Sequence, residues 1–141
     1  MINEIRTYFK SVIKEVEPDL KEHKEYYTSS NIPDSKIEDT YFLKIGNMSG
    51  QRIDNNYTAT FDVTLEIWKN GDKDIITKLD KAYCNAIEIM TNLQDQRRLT
   101  QLEFMKEVSG VSIENEAIES NDNAGKFTLN FNVLVSYDTN N

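Results

Sequence analysis

The sequence predicts an α+β fold: a mostly antiparallel sheet of about four strands, with two main helices packed on one face. Three observations carry this. Residues 57–67 alternate, with Tyr57, Ala59, Phe61, Val63, Leu65 and Ile67 on one side and Thr58, Thr60, Asp62, Thr64 and Glu66 on the other, as a half-buried strand does. A short polar turn later, Ile75, Ile76, Leu79, Ala82, Tyr83, Ala86, Ile87 and Met90 recur at helical spacing, so a strand feeds straight into an amphipathic helix. Residues 127–137 repeat the alternation with Phe127, Leu129, Phe131, Val133, Val135 and Tyr137. A helix leaving such a strand must lie back over its apolar face, and that unit is the expected core of one domain spanning residues 1–141.

Taken in order, Ile2, Ile5, Phe9, Val12, Ile13 and Val16 form a first helical stripe, which Pro18 ends by pushing its predecessor out of the α region. Residues 19–36 are polar and read as a connector, with a helical turn around Leu20–Tyr26. Ile37, Asp39, Tyr41, Leu43 and Ile45 then alternate as a strand whose polar side is interrupted by Phe42. Residues 46–56, GNMSGQRIDNN, are rich in turn formers and read as a long hairpin loop, a docking arm containing Met48, Arg52 and Ile53. Asn70-Gly71-Asp72 closes the central strand, and Asp72 or Asp74 suits the start of the following helix. Residues 91–110 fit either a short helix or an irregular strand. Residues 111–119 alternate weakly, SNDNAG at 120–125 is a turn signal, and 138–141 should fray.

Charge and composition exclude several functions. The chain has 24 acidic against 16 basic residues and a formal charge of −8, the wrong sign for a surface that neutralises phosphates. No apolar run approaches the roughly 20 residues that span a bilayer, and MINEIRTYFK lacks the apolar segment of a signal peptide. The sole cysteine, Cys84, cannot close an internal disulfide and falls off the apolar stripe of its helix, with no histidine beside it to make it a nucleophile. His23 is the only histidine, lies in the charged run KEHKE and is expected in solvent; it cannot build a multi-histidine metal centre. The pairs Asp72/Asp74, Glu114/Glu116 and Glu119/Asp122 are what an acidic chain supplies by chance, and no Gly-Lys-Ser/Thr phosphate loop occurs. The expectation is therefore no catalysis, no cofactor and no metal.

What remains is surface. The polar sides of the two clear strands combine Thr58, Thr60, Asp62, Thr64 and Glu66 with Thr128, Asn130, Asn132 and Ser136. That face is either simply solvated, as one face of an antiparallel sheet commonly is, or it lines a pore or meets another subunit. Trp68 falls on the same side, beside the turn, as a candidate aromatic anchor. Arg97-Arg98 is a basic doublet suited to a helix C-terminus or to ion pairs between subunits.

The element order, with a first amphipathic helix, a hairpin, FDVTLEIW leading through a short turn into DKDIITKLDKAYCNAIEIM, and a closing hairpin ending KFTLNFNVLVSYD, resembles the small tail terminator, or tail completion, proteins of long-tailed phages. The resemblance covers most of the chain at the level of pattern and transfers no individual residue. It implies a virion protein assembled in the host cytoplasm: a homo-oligomeric ring, a hexamer, that caps the head-proximal end of the tail tube, stops tube growth and meets a neck or head-completion protein. DNA would pass through its lumen without sequence-specific contact. Interface candidates are Met48, Arg52, Ile53, Trp68, Arg97 and Arg98. A neck connector is the nearest alternative, and a small α+β ligand-binding domain or enzyme a further one.

Overall fold

The computed structural model describes residues 2–28, 31–33, 39–53, 56–70, 75–118 and 121–138. Their order is α1 (Ile2–Val16), β1 (Lys21–Glu22), β2 (Thr40–Ile53), β3 (Asn56–Asn70), α2 (Ile75–Leu93), α3 (Gln96–Leu99), β4 (Met105–Ile118) and β5 (Asn121–Asp138). The fold is α+β as expected, but among the described residues the sheet has five strands rather than about four, in the order β1-β2-β3-β5-β4. All neighbours are antiparallel except β1 and β2, whose short parallel pairing joins Lys21 to Thr40 and Glu22 to Tyr41.

The core forms where three periodic patterns meet. From α1 it takes Ile5, Tyr8, Phe9, Val12 and Ile13; from α2, Ala82, Ala86, Ile89 and Leu93; from β3 and β5, the odd-numbered residues Ala59–Ile67 and Phe127–Val135. Side chains alternate across a strand, so this single parity buries one sheet face under the helices. Phe9 meets Phe131 edge to face, with ring centres 5.2 Å apart. The Tyr8 hydroxyl donates to the Leu93 carbonyl at 2.8 Å, tying α1 to the last turn of α2.

Several expectations are corrected. Residues 46–53 are not a loop: β2 runs through them, paired with Asn56–Asp62, and the turn formers are absorbed by a bulge between Gly46 and Met48. The structure carries Met48, Arg52 and Ile53 on a long ribbon instead of a docking arm. Leu20–Tyr26 contains no helical turn; Lys21–Glu22 pairs with β2 because the His23 amide donates to the Tyr41 carbonyl and the Lys21 amide to the Asp39 carbonyl. Asp39 adopts a left-handed conformation (φ 53°), which a short acidic side chain tolerates at a corner. Residues 91–110 prove to be both alternatives in succession: the end of α2, the one-turn α3 and the start of β4. The last hairpin turns earlier than SNDNAG suggests, since Ile118 already faces Asn121 and 121–125 belong to β5. Asp72, Asp74 and Glu119 lie outside the described residues, and so does the Gly71 turn.

Candidate functional site

The helices cover one face of the sheet, so the polar residues of the other are left to define the site. Register assembles them strand by strand. Thr64, Asn130 and Ser112 occupy one row across β3, β5 and β4, joined by side chains: the Thr64 hydroxyl donates to Asn130 Oδ1 at 3.2 Å, and Asn130 Nδ2 donates to Ser112 Oγ at 3.0 Å. Farther along, the Ser109 hydroxyl donates to Glu107 Oε1 at 2.9 Å. Asp62, Glu107, Glu114 and Glu116 are exposed on this face, against the exposed cation Lys44. The result is a Thr/Ser/Asn surface with an acidic fringe.

One end of this face is covered. The segment after β1 folds over it, so Ile32 joins Trp68, Ile118 and Ala124 in a second small core, with Tyr27 packed against it. His23 stacks on Phe42 with ring centres 5.9 Å apart and planes 12° apart, and Tyr27 meets His23 edge-on at 5.3 Å. Two expectations fail here. His23 is buried, because pairing of β1 with β2 turns it onto the sheet while Lys21 faces water. Trp68 does lie on the polar side of β3 but is fully enclosed, so it is an anchor for its own chain and not a free interface aromatic. Phe42 and Trp68 are the signals of this cover in the sequence: an apolar ring on a polar side needs a partner.

Beneath the cover Lys126 Nζ lies 2.6 Å from Glu66 Oε2 and 5.0 Å from the centre of the Trp68 ring. A second ion-paired group sits at the same end of the sheet but on the helix side, where Lys69 joins Glu17 and reaches Asp39 at 3.6 Å. A cleft of about 360 Å³ opens beside it, lined by Glu17, Asp19, Asp39, Lys69, Lys78 and Lys81 among others. Its charges balance, and no cluster of three or more metal-ligating side chains occurs among the described residues.

The arginine doublet divides. Arg98 makes a two-pronged contact with Glu15 of α1, at 2.8 and 2.9 Å, which depresses the Glu15 carboxyl below the usual carboxylate range and raises the guanidinium. That links α3 to α1 within one chain. Arg97 folds back on Asp95, whose side chain caps α3 by accepting the Arg97 amide at 3.0 Å, and the Arg97 side chain remains 92% exposed. The Asp95 carboxyl is held low first by that side-chain contact.

Both sheet edges are long. Beyond Tyr41 no strand pairs with the outer side of β2, and none pairs with the outer side of β4, among the described residues. Side chains from the α2–α3 corner cover only the first part of β4: Gln94 Oε1 accepts the Gly110 amide at 3.1 Å, and Gln96 Nε2 donates to the Lys106 carbonyl at 3.3 Å. Exposed apolar side chains stand near these edges, with Met48 on β2 and Tyr83, Ile87 and Val111 on α2 and β4. No helix of the described residues is long and apolar enough to cross a membrane. Compared with known proteins, the chain matches no family model, and no curated relative is found.

Proposed function

We propose that this chain is a structural subunit of a ring that ends the tail tube of a long-tailed phage, joining the tail to the neck without catalysing a reaction. The observation that carries the reading is the acid-fringed sheet face, uncovered away from its Trp68 end, with strand edges open beyond Tyr41 on β2 and over Val111–Ile118 on β4 among the described residues. A two-layer wedge of this kind, with helices on one face, can be continued by copies of itself at either edge. Repetition by a heterologous contact closes into a ring when the rotation permits. With the helices outward, the Thr/Asn face with Asp62, Glu107, Glu114 and Glu116 lines the lumen, where like charge lets DNA pass instead of sticking. Tube protein and a neck or head-completion protein would meet the two rims.

The test is length control. Purified chain added to polymerising tube protein should shorten the tubes and leave a ring at one end of each in electron micrographs. Tubes of unchanged length with bare ends would refute tube capping, and binding to a neck protein alone would make the chain a connector.

A further inference from the structure

The two open edges carry opposite charge. β2 holds Lys44 and Arg52 and no acid, whereas the uncovered half of β4, Val111–Ile118, holds Glu114 and Glu116 and no base. Each edge also has an apolar companion on the helix side of the sheet. On β2 it is Met48, which shares a register position with the core residue Phe61 yet is 53% exposed.

On the β4 side the companion is built by α2. Leu79 lies over Gly125, where a Cβ would come within 2.9 Å of Leu79 Cδ2, and Tyr83 contacts Phe127 at 6.2 Å between ring centres. Further on, Met90 lies over Gly110, where a Cβ would meet its sulfur at 2.5 Å. The helix therefore lies over β5 and reaches β4 at Gly110; Ile87 falls between Tyr83 and Met90 on it, and Ile113 is the β4 register partner of Leu129. Ile87 is 43% and Val111 60% exposed, so an apolar strip flanks the open backbone of β4.

We infer that, within the proposed ring and resting on that reading, the outer edge of β2 of one copy pairs with the Val111–Ile118 half of β4 of the next, with Met48 seated on the Ile87–Val111–Ile113 strip. Direction follows from topology. β4 runs antiparallel to β5, β5 to β3, and β3 to β2, so β4 is antiparallel to β2 and remains so to the β2 of a copy turned about an axis along the strands. Register follows from charge. Lys44 and Glu116 both lie on the polar face; set opposite each other, with Asn47 passed over as the bulged residue, they bring Met48 opposite Ile113. Facing Lys44 with Glu114 instead brings Met48 opposite Val111. Either pairing buries the methionine in the strip, so charge and apolar contact select the same overlap.

The experiment uses Met48→Cys with Val111→Cys in a Cys84→Ser background and a short thiol-to-thiol crosslinker. A ladder of covalent oligomers up to the full ring is expected from the double-cysteine chain, and none from either single-cysteine chain. In parallel, Lys44→Glu should raise the concentration needed for assembly by about tenfold or more, and adding Glu114→Lys with Glu116→Lys should restore it. Rings that form while the double-cysteine chain gives no ladder and Lys44→Glu has no effect would overturn this contact and leave the ring reading intact. A ladder from a ring that does not shorten tubes would support the contact and remove the capping function. A chain that stays monomeric throughout would overturn both.

Discussion

Lys126 lies across the face of Trp68 while paired with Glu66: its ammonium is 5.0 Å from the ring centre and 2.6 Å from Glu66 Oε2, and the two charged side chains are only 9% and 5% exposed. Trp68 and Lys126 are register partners on β3 and β5, and Glu66 is the diagonal neighbour. A pair this dry is costly to break one-sidedly, because the survivor is left as an uncompensated buried charge. Glu66→Ala is expected to destabilise the fold by about 3–5 kcal/mol. Replacing both residues with methionine should recover most of that loss. Denaturant midpoints of the three variants check this; a Glu66→Ala chain as stable as the parent would contradict it.

The cover over Trp68 makes a spectroscopic prediction, since this is the only tryptophan. With Tyr27, Ile32 and His23 packed over it, its emission should be blue-shifted and poorly quenched by acrylamide. Ile32→Ala combined with Tyr27→Ala should shift the emission to the red and raise quenching while far-ultraviolet dichroism stays near that of the parent. Emission typical of a solvated indole in the parent chain would refute the enclosed position.

At high pH the buried tyrosines should set the limit of stability. Burial is the first cause that pushes both Tyr8 and Tyr41 up to about 12; for Tyr41 the neighbouring Glu22 carboxylate adds to it, whereas for Tyr8 the nearby Arg98 charge opposes it. A folded value above the unfolded one means the stabilisation is complete below about pH 10 and is lost as pH rises toward 12. Unfolding free energy should therefore fall through that window by an amount on the order of 2 kcal/mol per tyrosine. Tyr8→Phe should start lower, by about 1 kcal/mol for the lost bond to the Leu93 carbonyl, and decline less steeply. Parallel alkaline limbs for parent and variant would count against it.

What could be read from the residues was decided by uninterrupted periodicity. The odd-numbered sides of β3 and β5 and, in α1, Ile5, Phe9, Val12 and Ile13 are core as their spacing predicts, whereas Ile2 is exposed; in α2 the buried face is rotated from the expected stripe, with Ala82, Ala86, Ile89 and Leu93 inside and Tyr83 and Ile87 exposed. β4 was obscure for a physical reason. Register shifts between Met105 and Glu107 and between Gly110 and Ser112 each add a residue, so Met105, Val108 and Ile113 share an inward role with no constant spacing. The 46–53 stretch was hidden by its glycines and polar residues, which suit an edge whose outer side is not covered. His23 and Trp68 were misjudged because local charge and strand parity say nothing of a distant segment folding over them. The Lys126–Glu66 pair has no signature, since its members are 60 positions apart and meet only through β3–β5 register.

The proposed function requires the chain to assemble through its edges into a closed ring. The most direct test is particle mass by light scattering across a concentration series, with the same sample viewed by electron microscopy. The account predicts a fixed multiple of the 16.4 kDa chain and end-on views with a central hole. A particle that keeps the mass of one chain at every concentration, alone and with tube protein, would contradict it.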